Sequence, residues 1–279
     1  MEQLIGVDGG EIWVQDTGGP GVPVILANSD WCESASWERT IAQITGSASP
    51  TSPAGPAGPA GPVRVIRYDN RGYGNSPAPA APFTHVGDLA AVADYLKVKR
   101  AVVAGHSGGG GTAIGLALAR PELVGALILA APGCQDYPWP NDDPYGAEFG
   151  ALFTAGDRDS LVALGLRTWA PVADPAAAEA QIRAAVAAFF RQGDYLSDDP
   201  PAWPRLGEIS VPAVMVIGEL DYPMVTDCSA AIASRIPDCR TVAVPGADHL
   251  LPICAPAVLA DLILSARASL SGHNAAPGA

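Results

Sequence analysis

Basic residues are scarce in this chain: 16 Lys and Arg stand against 29 Asp and Glu, a formal net charge of −13. Such a balance repels phosphate backbones and anionic lipid surfaces, so neither nucleic acid nor a membrane is an expected partner. Its ordinary consequence is solubility. Charge is sparse altogether, at 16% of residues against 48% apolar, a composition that excludes a disordered chain and allows a large core. Long apolar runs are missing, since the longest, over 123–131, is well short of the ~20 residues that cross a bilayer. The opening Met1-Glu2-Gln3-Leu4-Ile5 lacks the basic start and apolar stretch of a secretory signal. Cysteine is limited to Cys32, Cys134, Cys228, Cys239 and Cys254, odd in number, widely separated and without metal-ligand spacing. They read as reduced thiols, and the expected location is cytoplasmic. No H-E-x-x-H or dinucleotide fingerprint occurs, so neither a metal nor another cofactor is expected.

At 279 residues the chain suits one α/β core with an insertion. Short, nearly continuous apolar runs at 22–27, 63–68, 101–104, 126–131, 213–217 and 240–244 predict strands of a parallel sheet buried on both faces. Trp13 and Val14 with the alternation before them predict an antiparallel hairpin. Helical patterns at 34–44, 86–96, 112–119, 226–234 and 256–270 follow most strands, as crossover connections require. The predicted fold class is therefore α/β, a mostly parallel central sheet flanked by helices, with an inserted helical cap. Its core spans 1–133 and 206–279, and the cap spans 134–205, where polar, Trp- and Tyr-bearing loops surround at least two helices, 159–169 and 175–191. A Pro/Ala/Gly-rich stretch at 46–62 repeats Pro-Ala-Gly three times and reads as a surface loop, because it can neither fill a core nor hold a helix.

Gly105-His106-Ser107-Gly108-Gly109 sits between a predicted strand and a predicted helix. Small residues flank the serine because a sharp strand-to-helix turn strains its backbone and leaves no room for neighbouring side chains. The turn presents the Ser107 hydroxyl beside a helix N-terminus, whose free N–H groups favour developing negative charge. A phosphate-cradling glycine loop is the rival reading, but no lysine follows at P-loop spacing. A serine hydroxyl needs an imidazole to take its proton, and the imidazole needs an orienting carboxylate. Of four histidines, His106 lies within the turn, His85 precedes a helix and His273 sits in a Gly- and Ala-rich tail. His249, in a loop after the last predicted strand, is the candidate base. Asp221, just beyond another strand, is the preferred acid, with Glu219, Asp248 and Asp136 as competitors.

The order Ser107, Asp221, His249 resembles the nucleophile, acid, histidine order of α/β-hydrolases. Asp69-Asn70-Arg71-Gly72-Tyr73-Gly74-Asn75-Ser76 resembles that family's D-x-R-G-x-G-x-S turn, and Asp69 is expected to pair with Arg71 there. The resemblance implies a serine hydrolase acting on a small or medium neutral carboxylic ester or lactone through an acyl-enzyme. It implies an oxyanion hole formed by the N–H groups of Gly108 and Asp30. Many relatives have His-Gly where this chain has Asn28-Ser29, a pair similar to the Asn-Ser of enol-lactonases. An inward Asp30 carboxylate would oppose an oxyanion, so either it points away or it handles a proton. Substrate contacts are expected from Asn28, Trp31, Trp139, Phe153 and Trp169. Family members with an aspartate nucleophile, the dehalogenases and epoxide hydrolases, are disfavoured by Ser107. C–C bond hydrolases, perhydrolases, acyltransferases and ligand-binding members with little turnover remain alternatives. A small-molecule substrate is the expected partner, and a homodimer the expected assembly if there is one.

Overall fold

The computed structural model describes residues 1–46 and 63–273; apart from Gly46, the Pro-Ala-Gly stretch lies outside the described residues. The anticipated hairpin is present as β1 (Glu2–Val7) and β2 (Gly10–Asp16), paired antiparallel. Strand and helix then alternate through β3 (Val24–Ala27), α1 (Glu38–Thr45), β4 (Val65–Tyr68), α2 (His85–Tyr95), β5 (Ala101–His106), α3 (Gly108–Ala119) and β6 (Val124–Ala130). Three helices follow, α4 (Pro144–Ala155), α5 (Arg158–Trp169) and α6 (Pro175–Gln192). The chain returns to the sheet with β7 (Ala213–Gly218), α7 (Pro223–Arg235), β8 (Cys239–Val244), α8 (Leu251–Cys254) and α9 (Pro256–His273).

The described strands form one sheet of eight in the order β1-β2-β4-β3-β5-β6-β7-β8, parallel from β4 to β8. Successive side chains of a strand point to opposite faces, and the core divides accordingly. Val24, Leu26, Val102, Ala104 and Ile128 share one cluster with Ile44 of α1 and Leu259 of α9. Ile25, Ala27, Val103, Leu127 and Leu129 share the other with Leu89 of α2, Ile114 of α3 and Ile232 of α7. Every residue of β5 and β6 is buried, as expected of central strands covered on both sides. β8 departs from that expectation because it is the sheet edge, and several of its residues are exposed.

The segment between β6 and β7, expected to hold at least two helices, holds three α-helices, of which α4 was not located from the sequence. α4 escaped notice because its apolar residues do not follow one face, yet its ends carry strong signals. Asp143 accepts N–H bonds from Tyr145 and Gly146 with Pro144 in the first turn, and Gly156 closes the helix at φ 68°. The same Asp-Pro pair starts α6, where Asp174 accepts from Ala177. Among the described residues, no helix is long and apolar enough to cross a membrane.

The turn after β4 corrects one expectation. Arg71 pairs with Asp88 of α2, not with Asp69: its Nη2 lies 2.6 Å from Oδ1 and its Nε 2.9 Å from Oδ2. Asp69 instead accepts the N–H groups of Ser34 and Asn75, at 2.9 and 3.0 Å. Two residues apart on a tight turn, Asp69 and Arg71 point in different directions, and a bidentate partner for the guanidinium comes from the neighbouring helix. Both members of the Arg71–Asp88 pair are buried, so removing one strands the other's charge. Asp88→Asn is expected to lower stability by about 3–5 kcal/mol, read as a fall in the urea midpoint at unchanged slope.

Candidate active site

The parallel strands end at one edge of the sheet, where ligands of open α/β folds bind. Asp30 follows β3, Ser107 follows β5, Asp221 follows β7 and His249 follows β8. Ser107 is one of few described non-glycine residues at positive φ, with φ 54° and ψ −119°. Backbone strain of this kind costs on the order of 1–3 kcal/mol. It is held by Ser107 N–H donating to Ala130 O at 2.9 Å, and by Ser107 O accepting from Gly110 and Gly133 at 2.9 and 3.1 Å. The flanking glycines are needed for space: a Cβ on Gly105 would strike the Gly109 carbonyl, and one on Gly109 would strike the backbone of Ala27.

His249 Nδ1 lies 3.0 Å from both carboxylate oxygens of Asp221. Asp221 Oδ1 also accepts the N–H of Tyr222 at 2.6 Å, which fixes the carboxylate's rotation. With Nδ1 occupied, Nε2 is the ring nitrogen left to exchange a proton. Ser107 and His249 line the same cavity, and the Ser107 hydroxyl makes no hydrogen bond to another described residue. Catalytic contacts are often loose before substrate binds and tighten afterwards. None of the competitors for the acid bonds to His249. Asp248, fully buried, accepts from Val172 and Ala173 N–H at 2.9 and 2.8 Å through Oδ2. Its Oδ1 accepts from Leu250 N–H at 3.1 Å and the Cys254 thiol at 3.0 Å. Asp248 therefore ties the loop between α5 and α6 to the loop that carries His249. Gln135 reaches Asp136 at 3.4 Å, and Glu219 has no bond to His249.

His106 is buried inside the turn, and its Nε2 donates to the backbone carbonyl of His249 at 2.8 Å. Burial, then the neighbouring His249, lower its imidazole to about 3. It is thus a neutral strut under the His249 loop, which no sequence pattern indicated.

Asn28 does not face the cavity. Its amide donates to Cys32 O at 3.0 Å and closes the turn after β3, while Trp31 N–H donates to Ser29 Oγ at 3.0 Å. The Asp30 carbonyl accepts the Tyr73 hydroxyl at 2.7 Å. These bonds set the turn so that Asp30 sits against Gly108: a Gly108 Cβ would overlap the Asp30 carboxylate. Neither the Asp30 nor the Gly108 N–H has a partner among the described residues. Trp31, Trp139 and Trp169 line the cavity, whose volume is about 600 Å³. Trp169 also packs on His249, ring centroids 4.7 Å apart. Phe153 is not in the lining; it stacks on Phe149 and Phe190 at 5.8 and 4.8 Å, because its position on α4 turns it outward. Sequence reasoning missed Asp143, Tyr145 and Tyr222, which complete the wall. The Asp143-Pro144 helix start and the position of Tyr222 next to Asp221 were the available signals.

The fold and site together define a hydrolase. The chain belongs to the alpha/beta hydrolase family, whose model matches residues 24–262. An epoxide hydrolase of Caballeronia sordidicola is 44% identical over 70 residues, 23% of this chain and 21% of that protein, so the match spans about a fifth of that relative's length. The enol-lactonase of Burkholderia xenovorans LB400 is similar in fold, with a TM-score of 0.72 and 22% identity over 95% of this chain and 99% of that one. The carboxylesterase CesB (YbfK) of Bacillus subtilis gives 0.73 and 20% over 95% and 90%.

Two outcomes follow from the buried groups. Because the unfolded chain protonates His106 near 6.5 and the folded chain only near 3, its contribution to stability is complete above 6.5 and lost as pH falls toward 3. Between pH 7 and pH 4 the wild type should lose on the order of 3 kcal/mol more than His106→Asn, measured by urea unfolding at each pH. Asp248→Asn should speed hydrogen exchange of the Val172 and Ala173 amides by about tenfold, read by mass spectrometry.

Proposed function

We propose that the protein is a serine hydrolase that cleaves a small or medium carboxylic ester or lactone through an acyl-enzyme. The observation that carries this reading is the strained Ser107 sharing a cavity with a histidine whose Nδ1 is held by both oxygens of Asp221. Ser107 Oγ attacks the substrate carbonyl as His249 Nε2 takes its proton, and Asp221 stabilises the imidazolium. The Gly108 and Asp30 N–H groups receive the oxyanion at the start of α3, and the Asp30 carboxylate, which packs against Gly108 in the same chamber, must turn away from that charge as it forms. His249 then returns the proton to the leaving oxygen, and water, activated by the same imidazole, releases the acid and restores Ser107.

Residues 134–205 act as a cap over this site, supported by the way Trp139, Asp143, Tyr145 and Trp169 contribute to the wall. Among the described residues no Lys or Arg lines the cavity, which disfavours an anionic substrate. The names of the similar proteins include an epoxide hydrolase, an enol-lactonase and a carboxylesterase. A serine rather than an aspartate at the head of α3 supports acyl transfer over epoxide opening. The five cysteines, all free, suit a reducing cytoplasm.

Ser107→Ala should abolish labelling by a fluorophosphonate and lower turnover of aryl esters by at least about 10⁴-fold, with the far-UV circular dichroism spectrum unchanged. Wild-type-like turnover in that variant overturns the assignment. Faster turnover of a β-diketone than of any ester or lactone in a matched panel places the reaction with C–C bond cleavage instead.

A further inference from the structure

The wall around Ser107 carries charge of one sign. Asp30 and Asp143 both line the chamber, and neither is neutralised. Asp30 makes no ion pair and no side-chain hydrogen bond among the described residues. Asp143 gives its oxygens to neutral donors, the N–H groups of Tyr145 and Gly146 and the Tyr222 hydroxyl, at 3.1, 3.0 and 3.0 Å. Burial pushes the Tyr145 phenol well above its ordinary range against the opposing Trp169 and Trp31 indoles, and the charges of Asp30 and Asp143 add smaller effects in the same direction as burial. Beyond Gly108, a second cavity of about 210 Å³ shares Asp30 and Trp139 with the chamber and adds Asp199 and His85. Burial raises the Asp199 carboxyl against the opposing Val86 N–H, His85 and Thr84, and the charge of Asp30 is the smallest contribution.

The chamber is aromatic as well as acidic. Tyr145 packs against Trp31, Trp169 and Tyr222, with centroids 6.4, 4.7 and 6.2 Å apart. Aromatic faces attract cations, most strongly where water is displaced.

We propose that this chamber selects esters or lactones bearing an ammonium group away from the reacting carbonyl, and discriminates against those bearing a carboxylate. The inference rests on the hydrolase reading above and goes beyond a neutral substrate. The ammonium would sit against Tyr145, in the chamber that the Asp30 and Asp143 carboxylates line.

Three acetate esters of similar size test it on the full chain: those of choline, of its uncharged isostere 3,3-dimethylbutanol, and of 4-hydroxybutanoate. The expected kcat/KM for the choline ester is about tenfold above that of the neutral isostere, mainly through KM, with the anionic ester lowest. That ratio should shrink as ionic strength rises, and fall to about threefold or less in Asp143→Asn, which keeps a helix-capping side chain, and in Asp30→Asn. Tetramethylammonium should also protect wild-type Ser107 from a fluorophosphonate, and protect Asp143→Asn less. Ser107-dependent turnover of the neutral ester with a cation-to-neutral ratio of one or below, or no protection by tetramethylammonium, overturns the inference and leaves the hydrolase reading standing. Absence of both turnover and Ser107 labelling overturns both.

Discussion

One backbone conformation organises this molecule. Ser107 occupies a region of φ and ψ that an L-residue adopts at a cost, and its surroundings exist to hold it there. The close approach of β5 and α3 requires bare Cα positions at Gly105 and Gly109. The hydrogen bond from Ser107 N–H to the end of β6 makes the turn part of the sheet. Relaxing the turn would mean separating two strands whose residues are buried throughout, so the cost of the strain is met by the core.

Around that point, binding and support are divided between different side chains. Asp221 orients the His249 ring, whereas His106 carries the backbone behind it. Asp248, next in sequence to His249, faces away and fastens the segment between α5 and α6. Burial keeps His106 uncharged, which suits a strut, since a second cation beside His249 would oppose the imidazolium that the proposed mechanism forms.

Much of the frame was legible in the sequence because it is written in local patterns. The apolar runs of β3 to β7 report a sheet covered on both faces, and the glycines around Ser107 report the turn. β8 was placed correctly but its exposure was not, since edge position is a property of strand order and not of the strand itself. The turn's resemblance to the family's D-x-R-G-x-G-x-S pattern implied an Asp69–Arg71 pair, yet the guanidinium binds Asp88, seventeen positions on. Asn28 and Phe153 looked available for substrate, and their directions depended on a turn and a helix phase that spacing alone does not fix. Tyr145, Tyr222 and Asp143 meet across the insertion, and contacts between distant segments leave no periodic trace.

Asp248 joins two segments that lie far apart in sequence. Val172 and Ala173 hang from a carboxylate whose other oxygen is bound to Leu250, on the far side of the base. Displacing the segment that holds Val172 and Ala173 therefore strains the same carboxylate that fixes Leu250, so the two segments that flank His249 in space are mechanically one unit.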